Sequence, residues 1–100
     1  MEAIKENWTT IKEAVRREYS LSDISYHTWV EPLEFHNVVN DVVSIIIPSD
    51  QAHALNYISS KYKSFFQVTI TEMFDHPYDI SFILEKDVKM KWLLQTRSTV

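Results

Sequence analysis

The sequence predicts a single α+β domain built in the order helix, helix, strand, strand, helix, strand. Three observations carry this. Ile4, Trp8, Ile11 and Val15 recur at spacings of four, three and four, one apolar stripe at helical period. Leu55, Ile58, Tyr62 and Phe65 repeat the pattern at three, four and three. Between them residues 42–47 form a β-branched run that stops at Pro48. A chain of 100 residues suits one compact core and not two.

In the first helix Glu2 and Glu6 lie early and Arg16 and Arg17 late, which suits the helix dipole. Tyr19-Ser20-Leu21 breaks it. Ser22 is placed to cap a short second helix with Asp23 in its first turn. Ile24, His27 and Thr28 lie at helical spacing, and the helix must end near Trp29-Val30 because Pro32 disfavours helix at Glu31. Trp29 is expected in the core, where helix, turn and sheet converge. Leu33, Phe35 and Val38 begin a strand, Asn40-Asp41 is the expected hairpin tip, and residues 42–47 return antiparallel.

Ser49 or Asp50 caps the third helix, along which Phe66, Ile70 and Met73 add an adjacent stripe. Ser59-Ser60 suggests a bend, and the β-branched residues 68–71 weaken the helical signal. Tyr57 and Tyr62 are expected to pack with their hydroxyls at the surface. Asp75-His76-Pro77 ends the helix, and residues 78–84 form a third strand with Ile80, Phe82 and Leu84 on one face. Trp29, Leu33, Ile45, Ile58, Tyr62 and Phe82 should be buried together. Val88, Met90 and Trp92 alternate with Lys89 and Lys91, so residues 87–100 read as an extra strand, a short helix or the start of a linker after a domain of residues 1–86.

Composition excludes several functions. The chain has no glycine. A phosphate-binding loop, a dinucleotide fingerprint, a nucleophile elbow and the GXXG clamp of RNA-binding KH domains all need it, for positive φ or close backbone approach. Cysteine is absent too, which removes disulfides and thiolate metal sites and suits a reducing cytoplasm. The acidic, polar N-terminus is no signal peptide, and no apolar run approaches the roughly 20 residues a membrane span needs. A net charge of −4 opposes strong nucleic-acid binding. His27, His36, His53 and His76 are scattered, so no metal site is predicted. No carboxylate pair or activated serine is evident, and the polar side chains read as solvated surface. The expectation is a domain with no catalytic residues, no cofactor and no small-molecule substrate.

Trp8 in the first helix, "TWVEPL" from Thr28 to Leu33, "IIIPS" from Ile45 to Ser49 and "YISSKY" from Tyr57 to Tyr62 form a combination with one good match. Over residues 4–84 the sequence resembles the N-terminal domain, domain I, of the bacterial replication initiator DnaA. That resemblance implies a KH-like fold and a protein-interaction module: weak self-association, docking of the replicative helicase and of initiation regulators, and a weak contact with single-strand DNA; the alternatives are a stand-alone regulator that resembles domain I, or a KH-like weak binder of single-strand nucleic acid. It points to Trp8 for self-association, although the stripe that Trp8 shares reads first as core. The helicase contacts of the best-known family member, an acidic residue and an aromatic, match Ser25, with Asp23 nearby, and the region of Gln51 and His53, so this sequence departs from it at both. Tyr26, expected on a different face from Trp29, is a further interface candidate. Lys61 and Lys63 flank Tyr62 and are the candidate nucleic-acid residues.

Overall fold

The structure, a computed structural model, describes residues 2–88. The chain starts with α1 (Glu2–Glu6) and α2 (Trp8–Glu18), which adjoin across Asn7. The sequence pattern suggests one helix there. Asn7 leaves helical geometry at φ −103°, ψ 17°, and its side-chain amide donates to the Ala3 carbonyl at 2.7 Å. An asparagine amide competes in this way with the helix backbone. The stripe continues through the break, so Ile4, Trp8, Ile11 and Val15 are all buried.

Ser22 caps α3 (Asp23–Ser25), its hydroxyl accepting from the Ser25 N–H at 3.1 Å. The helix then widens into a π turn over Tyr26–Val30, closed by the Glu31 N–H donating to the Tyr26 carbonyl at 2.8 Å. β1 (Glu34–Val39) and β2 (Val42–Ile47) form the expected antiparallel hairpin, with a bulge at His36. Its two-residue tip is Asn40-Asp41, with φ of 51° and 62°. Both central residues of such a turn need positive φ, and asparagine and aspartate serve here in a chain without glycine.

A 3₁₀ segment (Ser49–Ala54) leads into α4 (Leu55–Phe74). α4 is continuous through the serine pair, and residues 68–71 stay helical, with Thr69 and Ile70 packed inward. Tertiary burial outweighs the small helical penalty of β-branched residues. Asp75 ends the helix in the left-handed region at φ 50°, its N–H donating to the Thr71 carbonyl. β3 (Asp79–Leu84) then pairs in parallel with β2, giving the order β1-β2-β3. A parallel pair needs a long crossover, and α4 supplies it.

Val43, Ile45 and Ile47 of β2 face the helices and are fully buried, as are Leu33, Ile58, Tyr62, Phe66 and Ile70. Phe82 is only partly buried, packing at the margin of this core. Residues 85–88 turn helical directly after β3. The remainder of the segment expected as a strand, helix or linker lies outside the described residues.

Candidate protein-interaction surface

The Glu31-Pro32-Leu33 turn positions this surface, and α2 holds it. Proline has no N–H, and the turn leaves carbonyls that need donors. The Trp8 indole Nε1–H donates to the Leu33 carbonyl at 2.9 Å. Lys12 Nζ donates to the Glu31 carbonyl at 2.7 Å and to Leu33 at 3.3 Å. Lys12 is therefore buried despite its charge. The tryptophan of the first helix and "TWVEPL" belong to one structural unit.

Trp8 itself is 7% exposed. Its ring stacks on Phe66 at 5.6 Å and tilts against Phe35 at 5.9 Å. The core reading of this residue holds, and little of the indole is left for a partner.

The two aromatics of the second helix exchange the places expected from sequence. Tyr26 is buried, 2% exposed, and Trp29 is only partly buried. Tyr26 and Val30, four apart, form the inward pair of the π turn. Tyr26 can be buried because its polar tip is satisfied: its hydroxyl donates to Glu13 Oε1 at 3.1 Å, and the Arg16 guanidinium lies 4.9 Å from its ring centroid. Burial and then the bond to Glu13 push its phenol up to about 12. Tyr26 thus lies in the core and not at the surface. Trp29 lies on the other side of the turn and rests against Tyr57 of α4, ring centroids 5.2 Å apart.

Around that pair the surface is built from two segments. Gln51 Nε2 donates to the Thr28 carbonyl at 2.6 Å, joining the 3₁₀ segment to the π turn. Among the described residues Gln51 Oε1 is buried without a hydrogen-bond partner, as is the Tyr62 hydroxyl. Tyr62 is buried as a whole, against the expectation of a surface hydroxyl, because it lies on the inward stripe of α4. Burial raises its pKa. Lys61 Nζ donates to the Tyr57 hydroxyl at 3.1 Å and sits 5.5 Å from the centroids of both the Tyr57 and Tyr62 rings. The bond to Tyr57 is the main cause that raises the lysine's pKa.

Of the other residues singled out from sequence, Ser25 and Asp23 sit at the start of this helix, Asp23 paired with Arg16. His53 is exposed on the 3₁₀ segment. Lys63 lies 3.9 Å from Asp79. Ile24, His27 and Thr28, at helical spacing, are all exposed, Ile24 at 80%. Ile24 and Thr28 are one helical turn apart, and Gln51 binds the Thr28 carbonyl. Tyr57, expected to pack, is substantially exposed. The signal that could have found Ile24 is its position between Asp23 and Ser25, an apolar residue flanked by polar ones in the first turn.

Among the described residues no three His, Asp or Glu side chains gather as a metal ion would require, and no helix is long and apolar enough to cross a membrane. Fold and surface together define a small α+β domain that offers an aromatic and aliphatic surface formed by a helical turn and the start of a long helix. The DnaA N-terminal domain family model matches residues 5–74, and the chain belongs to that family. The chain is also similar to the chromosomal replication initiator protein DnaA of Lachnoclostridium phytofermentans, 30% identical over 97 residues. That alignment covers 95% of this chain and 21% of the relative, so the chain spans about a fifth of the relative's length.

Proposed function

We propose that this domain is the protein-docking module of a replication initiator, and that it receives the replicative helicase or an initiation regulator on the surface formed by Ile24, Thr28, Trp29, Gln51, His53 and Tyr57. The observation that carries this is Ile24, a large aliphatic side chain 80% exposed on a helix tied to Gln51. An exposed apolar side chain beside a half-open aromatic pair suits an interface centre, where aromatic anchors dominate binding energy. Asp23 and Ser25 would flank the contact. Docking is the domain's work in the cytoplasm, without chemistry of its own, cofactor, small-molecule substrate or membrane. Self-association would be weak and would use the exposed face of α2, because the Trp8 ring is committed to the core.

The test is a titration of the isotope-labelled chain with the cognate helicase, monitored by NMR. Ile24, Trp29, His53 and Tyr57 resonances should shift, and Ile24→Asp should abolish the shifts while leaving the remaining spectrum folded. Shifts confined to other faces would overturn the assignment. Single-strand DNA is the weaker second ligand. Lys61 folds onto two tyrosine rings and Lys63 lies near Asp79, so neither is a free phosphate anchor.

A further inference from the structure

The sequence around Thr28 leaves its carbonyl without a helical donor. In a helix a carbonyl accepts from the N–H three, four or five residues further on. For Thr28 those residues are Glu31, Pro32 and Leu33. The Glu31 N–H donates to the Tyr26 carbonyl, Pro32 has no N–H, and the Leu33 N–H donates to the Val30 carbonyl. The π turn and Pro32 together leave the Thr28 oxygen open, and it needs a donor from elsewhere in the chain.

Gln51 is that donor, through Nε2 at 2.6 Å. Its own backbone is fixed from the sheet side. β2 ends at the fully buried Ile47, and the Gln51 N–H donates to the Pro48 carbonyl at 2.9 Å. The side chain therefore carries the position of the sheet across to the π turn. Among the described residues no other hydrogen bond joins α3 and the π turn to the segment from Ser49 to Tyr57. The remaining tie is the Trp29 ring resting against Tyr57. Ile24 and Trp29 thus form one half of the docking surface, His53 and Tyr57 the other, and Gln51 links them. The Gln51 amide is committed to this link: Nε2 is engaged with Thr28 and Oε1 is buried.

We propose, resting on the docking function above, that Gln51 is a positioning residue of that surface and not a contact residue. By donating to the carbonyl that Pro32 leaves open, it holds the Ile24–Trp29 half against the His53–Tyr57 half, so the surface is assembled before a partner arrives. A preassembled surface loses less freedom on binding. Without the link only a fraction of molecules holds the competent arrangement, and the apparent affinity falls by that fraction. The loss then appears in the association rate. Loss of a direct contact appears instead in the dissociation rate, where interface substitutions ordinarily act.

The test uses the full chain and two variants. Gln51→Met keeps the length of the side chain and cannot donate; Gln51→Glu keeps its shape and, ionised, cannot donate either. In the free chain both should weaken the nuclear Overhauser contacts between the Trp29 indole and the Tyr57 ring and move the Ile24 methyl resonances, with the rest of the spectrum folded as in the parent. Against the cognate helicase, association should slow about tenfold while dissociation stays within about twofold. Unchanged Trp29–Tyr57 contacts in the free variants would overturn the proposal. A dissociation rate raised about tenfold at an unchanged association rate would also overturn it, making Gln51 a direct contact. Ile24→Asp keeps the two readings apart: if that variant binds the helicase as the parent does, the docking surface is misplaced, and the free-chain contacts alone decide what Gln51 does.

Discussion

Replacing Trp8 by alanine separates core from interface with a large signal. The indole is almost fully buried, stacks on Phe66 and donates to the Leu33 carbonyl. Truncating a buried tryptophan costs about 3–5 kcal/mol from lost transfer energy and the cavity left behind. Loss of the indole hydrogen bond lies within that range, because Lys12 Nζ still reaches Leu33 and the carbonyl is not orphaned. In a domain whose whole stability is about 5–15 kcal/mol, a loss of about 4 leaves it marginal. At about 4–8 °C per kcal/mol, the melting temperature should fall by about 15–30 °C. Trp8→Phe keeps an aromatic ring against Phe66 and loses the N–H, so it should cost about 1–2 kcal/mol. Thermal melting by circular dichroism at low concentration, where self-association is negligible, measures both. A Trp8→Ala chain melting within about 3 °C of the parent would refute the packing argument, since a buried-to-cavity change cannot be that small.

The same contacts set three further outcomes. Lys12→Met keeps the apolar stem but removes the donor to Glu31 and Leu33, and urea denaturation should show a loss of about 1.5–3 kcal/mol, as for hydrogen bonds from a charged group. Asp75→Gly should stabilise by about 0.5–1 kcal/mol, because glycine removes the left-handed penalty at φ 50° and returns part of it as chain entropy; an unchanged or lower midpoint contradicts this. Tyr26 has its phenol raised to about 12, from an ordinary value of 10.0, so the fold prefers the protonated form. Its contribution is complete below pH 10 and is lost as pH rises from about 10 to 12, where the unfolded chain ionises first. Tyr26→Phe should flatten that part of the alkaline stability profile in denaturant titrations, and an unaltered profile would show that another group governs it.

Sequence determined what depends on neighbours along the chain. The Ser22 cap, the Asn40-Asp41 tip and the inward rows of α2, β2 and α4 come from local hydrogen bonding, positive φ and alternation. The resemblance in "TWVEPL" and "YISSKY" was legible for the same reason, being a fixed order of short-range signals. Tertiary structure decided the rest. Whether Tyr26 or Trp29 turns inward depends on a π turn and on Glu13 and Arg16 of α2 being there to satisfy the Tyr26 ring and hydroxyl. Periodicity alone assigns that place to the larger ring. Ile24, His27 and Thr28 share helical spacing, and all three lie on the exposed side of the turn, because a short helix buries only the side that meets the core. The burial of Lys12 was invisible from α2, since its acceptors are carbonyls 19 and 21 residues away. The parallel pairing of β3 with β2 was equally hidden, because it depends on where α4 delivers the chain. Local patterns specify which way a side chain tends to face; which groups wait there to meet it is set by contacts between distant segments, and on those contacts rests the difference between core and surface.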